Sequence, residues 1–138
     1  MPFESVVHPI TGVLIGPLAP VRFTARIEYQ RSDPFAVRML FGPELTFDST
    51  PVAWTFARQL LSDGLSRRAG HGDVRVSPYG AARTTIELRD HNGCALLVLH
   101  TQELEAFLNE AETLVATGSE EQLISWDAEL AALVRDAV

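Results

Sequence analysis

Lysine is missing from this chain: all eleven of its basic residues are arginine. That absence excludes Schiff-base chemistry, a phosphate-loop lysine and a lysine general base. Cysteine is nearly missing too. The single Cys94 permits no internal disulfide, so a reducing cytoplasm is the expected setting. The longest apolar run, residues 94–99, falls far short of the roughly 20 residues a membrane helix needs. The opening MPFESVV has no basic n-region and carries Glu4, so no signal peptide is read there. Catalytic signatures are lacking as well. No Ser sits in a G-x-S-x-G setting, no H-E-x-x-H occurs, and Gly70-His71-Gly72 opens a strand rather than a helix, leaving no helix N-terminus to hold a phosphate. The expectation is a soluble, non-enzymatic protein with no cofactor and no small-molecule substrate, not embedded in a membrane.

What is present is an ordinary globular composition: 138 residues, 46% hydrophobic and 21% charged. A chain of this length buries about two-thirds of its unfolded surface and folds without disulfide or metal. The net charge of −7 is unevenly placed. Ten arginines face nine acids up to residue 100, whereas Arg135 alone faces nine acids beyond it. An acidic last third argues against duplex DNA as a partner.

The hydrophobic pattern predicts one domain over 1–138, mostly β to about residue 100 with a short helix near 57–65, then helical over 101–138. Residues 5–15 are apolar but broken by Pro9 and Gly12, which suggests at best a bent or edge strand. Val21, Phe23, Ala25, Ile27 and Tyr29 alternate with polar neighbours. After a turn at Arg31-Ser32-Asp33-Pro34, Phe35, Val37, Met39 and Phe41 do the same. Val52, Trp54 and Phe56 lead into a helix with Leu60, Leu61 and Leu65, closed by Gly64. Asn92-Gly93 signals a type I′ hairpin. It would set Leu88 opposite Leu97 and Ile86 opposite Leu99 on a core face, with Arg89 opposite Leu96 and Glu87 opposite Val98 outside. Leu96 and Val98 are too apolar to lie open, so that face calls for a helix or another subunit. From Thr101 the period becomes 3.6: Leu104, Phe107, Leu108, Ala111 and Val115 form one stripe, with Glu103, Glu105, Glu110 and Glu112 away from it. Gly118 ends this helix, Ser119 with Gln122 fits a capping box, and Asp127 caps a last helix burying Leu130, Leu133 and Val134. The fold class is α+β, an antiparallel sheet followed by helices packed on it.

Candidate sites are few. Cys94 and His100 lie six residues apart on one strand, about 20 Å, out of reach for a nucleophile and its base; Cys94 reads as a half-buried strand residue. His91 and Cys94 flank a turn, but no second pair has metal-ligand spacing, so no metal site is assigned. Two interaction surfaces remain. Residues 66–73 form a flexible, locally basic loop whose Arg67, Arg68, His71 and Asp73 are candidate partner contacts. The acidic face of the helix after residue 100 is the other, with ordinary solvation as its simpler explanation.

Certain residues occur in a recognisable order: Ser32-Asp33-Pro34-Phe35-Ala36-Val37, Trp54-x-Phe56-Ala57-Arg58-x-Leu60-Leu61-x-x-Gly64-Leu65, and Gly70-x-Gly72-Asp73-Val74-Arg75-Val76-x-Pro78. Leu104-x-x-Phe107-Leu108 and Asp127-x-Glu129-Leu130 follow. Together they resemble the SsgA-like proteins, small regulators of cell division and sporulation in filamentous actinobacteria, and among these the SsgB type most. Ser77 stands where that pattern has Trp, Gln59 where it has an acid, and the first twenty residues match poorly. The resemblance implies a strongly bent, whirly-like antiparallel sheet with helices, assembled as a homotrimer. It implies an adaptor that is concentrated at division septa and helps place or recruit the tubulin-like FtsZ, with FtsZ or an SsgA-type paralogue as partner. Whirly-like proteins elsewhere bind single-stranded nucleic acid, which is the alternative function. Such sites join a basic groove to exposed aromatics. Here Phe35, Phe41, Trp54 and Phe56 alternate as core residues, and only Arg22, Arg26, Arg38, Arg75, Arg83 and Arg89 are placed to build a basic surface.

Overall fold

The computed structural model of the chain describes residues 4–42, 45, 52–91 and 93–120. The order of elements is β1 (Ser5–Ile15), β2 (Val21–Gln30), β3 (Asp33–Phe41), β4 (Val52–Ala57), α1 (Arg58–Gly64), β5 (Val74–Tyr79), β6 (Arg83–Asp90), β7 (Gly93–His100) and α2 (Thr101–Leu114). The strands form one sheet in the order β4-β3-β2-β1-β7-β6-β5, and every neighbouring pair is antiparallel. Two meanders are thus joined where β1 meets β7. The sheet is strongly curled. In a flat sheet the edge strands β4 and β5 would stand about 29 Å apart, six spacings of roughly 4.8 Å. The single short helix α1 nevertheless touches β3, β4 and β5. The result is an α+β half-barrel whose concave face holds the core and whose convex face carries the outward side chains.

The alternating runs fill that concave face. Ile10, Ile27, Tyr29, Val37, Met39, Val76, Ile86, Leu97 and Leu99 are almost fully buried. From α2, Leu104, Phe107 and Ala111 close over them. Leu61 comes from α1.

Several sequence expectations are corrected. β1 is not an edge strand: it pairs with β2 along its length and with β7 from Gly12 to Ile15. Pro9 is tolerated because backbone amides alternate along a strand. The Thr11 amide points away from β2, to Glu103, so the N–H that Pro9 lacks lies on the same side, before pairing with β7 begins. Phe35 is exposed, not core. The β2–β3 register shifts between Glu28 and Gln30, from pairing with Arg38 to pairing with Asp33. The extra residues on β3 turn Phe35 outward and bury Pro34 instead. α1 ends at Gly64 as expected, but without a left-handed turn, since Gly64 has no positive φ and Leu65 stays right-handed at φ −71°. The role of Gly64 is close approach: a Cβ there would overlap the Val76 side chain.

The last hairpin differs by a register of two. Asp90 pairs with Gly93, which places Gly93 in the strand rather than in the loop, with a φ of 137°. Leu88 therefore faces Ala95, Ile86 faces Leu97, Glu87 faces Leu96 and Thr85 faces Val98. An even shift keeps each residue on its expected face, which is why the core assignment survives. α2 ends at Leu114, before Gly118, whose φ of 93° shapes the turn in which the Ser119 amide bonds the Ala116 carbonyl. Asn92, Gln122 and the helix expected after Asp127 lie outside the described residues.

Candidate partner-binding surface

The acids on α2 were expected to be solvated, but two of the four grip the sheet and a third grips α1. Glu103 accepts hydrogen bonds from the Thr11 amide at 2.8 Å and from its hydroxyl. Glu110 lies 2.8 Å from His8 Nε2, and the His8 ring packs edge-on against Phe107. Glu112 reaches across to α1. Only Glu105 lacks such a contact among the described residues, so little of this face is left to offer a partner.

The Glu112 contact belongs to a buried network that composition and periodicity do not reveal. Arg58, the first residue of α1, is 6% exposed. Its guanidinium donates to Tyr29 Oη at 3.0 Å, to the Val115 carbonyl at 2.8 Å, to Glu112 Oε2 at 2.6 Å and to Thr117 Oγ1 at 3.3 Å. It also stands 5.0 Å over the Tyr29 ring. Tyr29 in turn donates to the Pro34 carbonyl. Burial pushes the Tyr29 hydroxyl up, only partly opposed by Arg58, which keeps the phenol a donor. Hydrogen bonds from the Thr117 hydroxyl and amide, then Arg58, hold the Glu112 carboxyl below its usual range. Pro34, Arg58 and the end of α2 are drawn together here, so two of the quoted motifs meet in a structural lock. The one sequence clue was an arginine following the strand alternation of Val52, Trp54 and Phe56.

Residues 66–73 are tethered rather than flexible. Ala69 exchanges two backbone hydrogen bonds with Val76, adding a short extra bridge to the free edge of β5, and the Asp73 carbonyl accepts the Arg89 amide. Such a cover also blunts an open sheet edge. Arg67, Arg68, His71 and Asp73 are all exposed on it. Arg67 pairs with Asp63 at 3.2 Å.

The convex face of the sheet gathers the charges that the sequence left scattered. Arg22 and Arg26 on β2, Arg38 on β3, Arg75 on β5, and Arg83 and Arg89 on β6 all point outward, against Glu28 and Glu87. Arg38 is paired with Glu28 and Arg89 with Glu87. The Arg89 hydrogen bond holds the Glu87 carboxyl below its usual range. Arg75 stands opposite Glu87 in the ladder and helps hold its carboxyl low, whereas Arg22, Arg26 and Arg83 form no ion pair with a carboxylate among the described residues. Between them runs an apolar strip on β1 and β7. Val13 faces Val98 and Ile15 faces Leu96 in the ladder. Leu96 and Val98 are half-buried and Ile15 is exposed. A groove of about 570 Å³, open to solvent, is floored by Thr11, Val13 and Val98 and walled by Arg22 on one side and Arg83 on the other.

This face holds no catalytic constellation of the kind sought in the sequence. Cys94 and His100 share β7 and stay six residues apart. Cys94 is exposed, not half-buried: it pairs with Arg89 on β6, but the pairing of β1 with β7 stops at Leu96 and leaves its other side uncovered; its Sγ lies 3.6 Å from Glu87. Among the described residues no three His, Cys, Asp or Glu side chains gather as metal ligands, and no helix is long and apolar enough to cross a membrane.

Comparison with known proteins gives consistent matches. The family described as Streptomyces sporulation and cell division protein, SsgA, matches residues 23–120. The sporulation-specific cell division protein SsgB of Frankia casuarinae is 41% identical over 119 residues, 84% of this chain and 81% of that protein. The crystal structure of an SsgA-like sporulation-specific cell division protein from Thermobifida fusca superposes with a TM-score of 0.79 at 37% identity, covering 93% of this chain and 94% of that one. SsgB of Streptomyces coelicolor, solved in connection with mutations that correlate with longitudinal cell division during sporulation, gives a TM-score of 0.76 at 31% identity, covering 87% and 95%.

Proposed function

The chain belongs to the SsgA family of sporulation and cell division proteins, and from that membership we propose that it is a non-enzymatic adaptor of sporulation-specific division that helps place or recruit FtsZ at septum sites. In this reading its partners are FtsZ, an SsgA-type paralogue or both; it works as a homotrimer and concentrates at division septa. The observation that carries the reading is the match over residues 23–120, which includes the Pro34 and Arg58 motifs and the convex-face residues of β3, β5, β6 and β7. That face supports it physically. An exposed apolar strip rimmed by charge suits a protein contact better than a small ligand, since nothing encloses the groove. Leu96 and Val98 are protein contacts in this reading, and Arg67, Arg68, His71 and Asp73 contribute from the tethered segment.

Co-sedimentation with FtsZ polymers, with and without a paralogue, tests the proposal. Association is expected; its absence in both arms refutes the adaptor role. Light scattering tests the trimer separately. A second reading, single-stranded nucleic acid binding, is favoured by one observation, the six arginines on one face. It is opposed by Phe41 and Phe56 being buried and Trp54 half-buried, which leaves Phe35 and Tyr79, on separate strands, as the exposed aromatic rings of the sheet.

A further inference from the structure

Arg22 on β2 and Arg83 on β6 flank the groove. Arg22 lies in one cross-strand row with Val13, Val98 and Thr85, and Arg83 stands one step along the sheet, opposite His100. Arg26 lies opposite Pro9, past the last β1–β7 pair, and Arg75 is separated from Leu96 by Glu87. Three strand spacings, roughly 14 Å, separate the strands of Arg22 and Arg83. Between them lie β1 and β7, with Val13 and Val98 as the floor. Over that stretch both strands are paired on each side, so an incoming peptide cannot add as another strand and must sit on side chains. The gap is too wide for a single extended chain but accommodates an α-helix of about 10–12 Å diameter.

We infer that this groove docks an acidic amphipathic helix of a partner protein, its apolar stripe on Val13 and Val98 and a carboxylate on each flank meeting Arg22 and Arg83. The inference rests on the reading of the chain as a protein-binding adaptor. Charge complementarity carries it: in a chain of net charge −7, the two arginines that line the groove form no ion pair with a carboxylate among the described residues. Arg and carboxylate pair well at such rims because the planar fork binds both oxygens. Nucleic acid fits less well, since the floor is aliphatic and Glu28 and Glu87 sit among the arginines.

The test is fluorescence anisotropy with a labelled helical peptide of about 16 residues, Leu at i, i+3, i+4 and i+7 and Glu on both flanks. Its Gln isostere and an oligothymidylate serve as comparisons. The Glu peptide should bind at least about tenfold tighter than the Gln peptide and weaken with salt. The double variant Arg22→Gln/Arg83→Gln, both exposed sites, should lose about tenfold while keeping its circular dichroism melt. Arg31→Gln/Arg68→Gln, off this face, should bind as wild type. Equal affinity for the two peptides, undiminished binding by the groove variant, or preference for the oligonucleotide overturns the inference. So does a fall in oligomer mass for the groove variant, which would seat a second copy there. FtsZ co-sedimentation run in parallel separates the two ideas. If wild type binds FtsZ but not the Glu peptide, the docking inference falls and the adaptor reading stands; if wild type binds neither FtsZ nor a paralogue, the adaptor reading falls.

Discussion

Replacing Arg58 by Met keeps most of the side-chain volume and removes the guanidinium. The magnitude follows from what each partner retains. Val115 is 4% exposed, and its carbonyl loses the Arg58 bond of 2.8 Å; a buried acceptor left unmade costs about 1–3 kcal/mol. Tyr29 keeps its bond to the Pro34 carbonyl but loses a charged donor and the cation over its ring, about 1 kcal/mol more. Glu112 is half-exposed and still holds Thr117, so its share is that of a surface pair, at most about 1 kcal/mol. Met returns some stability because no guanidinium need be desolvated. The expected net loss is about 3 kcal/mol, or roughly 10 °C in Tm for a domain of this size.

Urea unfolding followed by far-ultraviolet circular dichroism measures it, with the slope m unchanged. Arg58→Lys should fall between, since an ammonium reaches one or two of the four partners. Double-mutant cycles with Glu112→Gln and Tyr29→Phe should show coupling above about 0.5 kcal/mol. A loss below about 1 kcal/mol, or full additivity in both cycles, would refute the lock.

The same network sets an acid limit. Glu112 is held below its ordinary value of 4.5, so its contribution is present above that value and is lost as pH falls through the lower folded one; Glu112→Gln should flatten the fall in stability between about pH 5 and 3, and parallel curves would contradict this. Gly64→Ala should cost about 1–3 kcal/mol by forcing a methyl into Val76, visible in thermal melts; an unchanged melt would refute the close approach. Ala69→Pro removes the amide that bonds Val76 and should speed tryptic cleavage at Arg67 and Arg68 in the folded protein; an unchanged rate argues that the bridge does not restrain the segment. Exposed Cys94 should react with a thiol reagent without denaturant, and Cys94→Ser should change stability by no more than about 0.5 kcal/mol.

What the sequence made legible is what period alone decides. The alternation of Phe23, Ala25, Ile27 and Tyr29 and the spacing of Leu104, Phe107 and Ala111 pointed to the concave core, and those residues are buried. Even the wrong register of the last hairpin left Leu97 and Leu99 inside, because a slip of two preserves the face. Illegible were features set by contacts distant in sequence. Pro9 looked like an edge marker because nothing local shows Glu103, ninety-two residues away, receiving the Thr11 amide. Phe35 followed the alternation until the β3 bulge broke it. Arg58 looked like any surface arginine, since its partners come from β2 and from residues after α2. For the candidate surface, the six arginines were named correctly from strand parity; that Arg22 and Arg83 flank a groove required the strand order, in which β1 and β7 lie side by side between them.

That strand order also reinterprets the charge. A net of −7 with acids concentrated after residue 100 suggests an acidic surface repelling anions. Two of the four α2 glutamates, however, are turned to His8 and Arg58 on the helix side of the sheet, while Glu103 is bonded to Thr11 beside the groove. The convex strands carry six arginines against two glutamates. Charges beyond a Debye length, about 8 Å at physiological salt, are largely screened, so a partner at the convex face meets the arginines locally while the more distant acids count for little. Raising ionic strength should therefore weaken binding of an anionic partner at this face, and lowering it far enough should weaken binding again as the distant acids come into range. Binding that only strengthens as salt rises would mean that the chain's net charge, not the local arginines, governs approach.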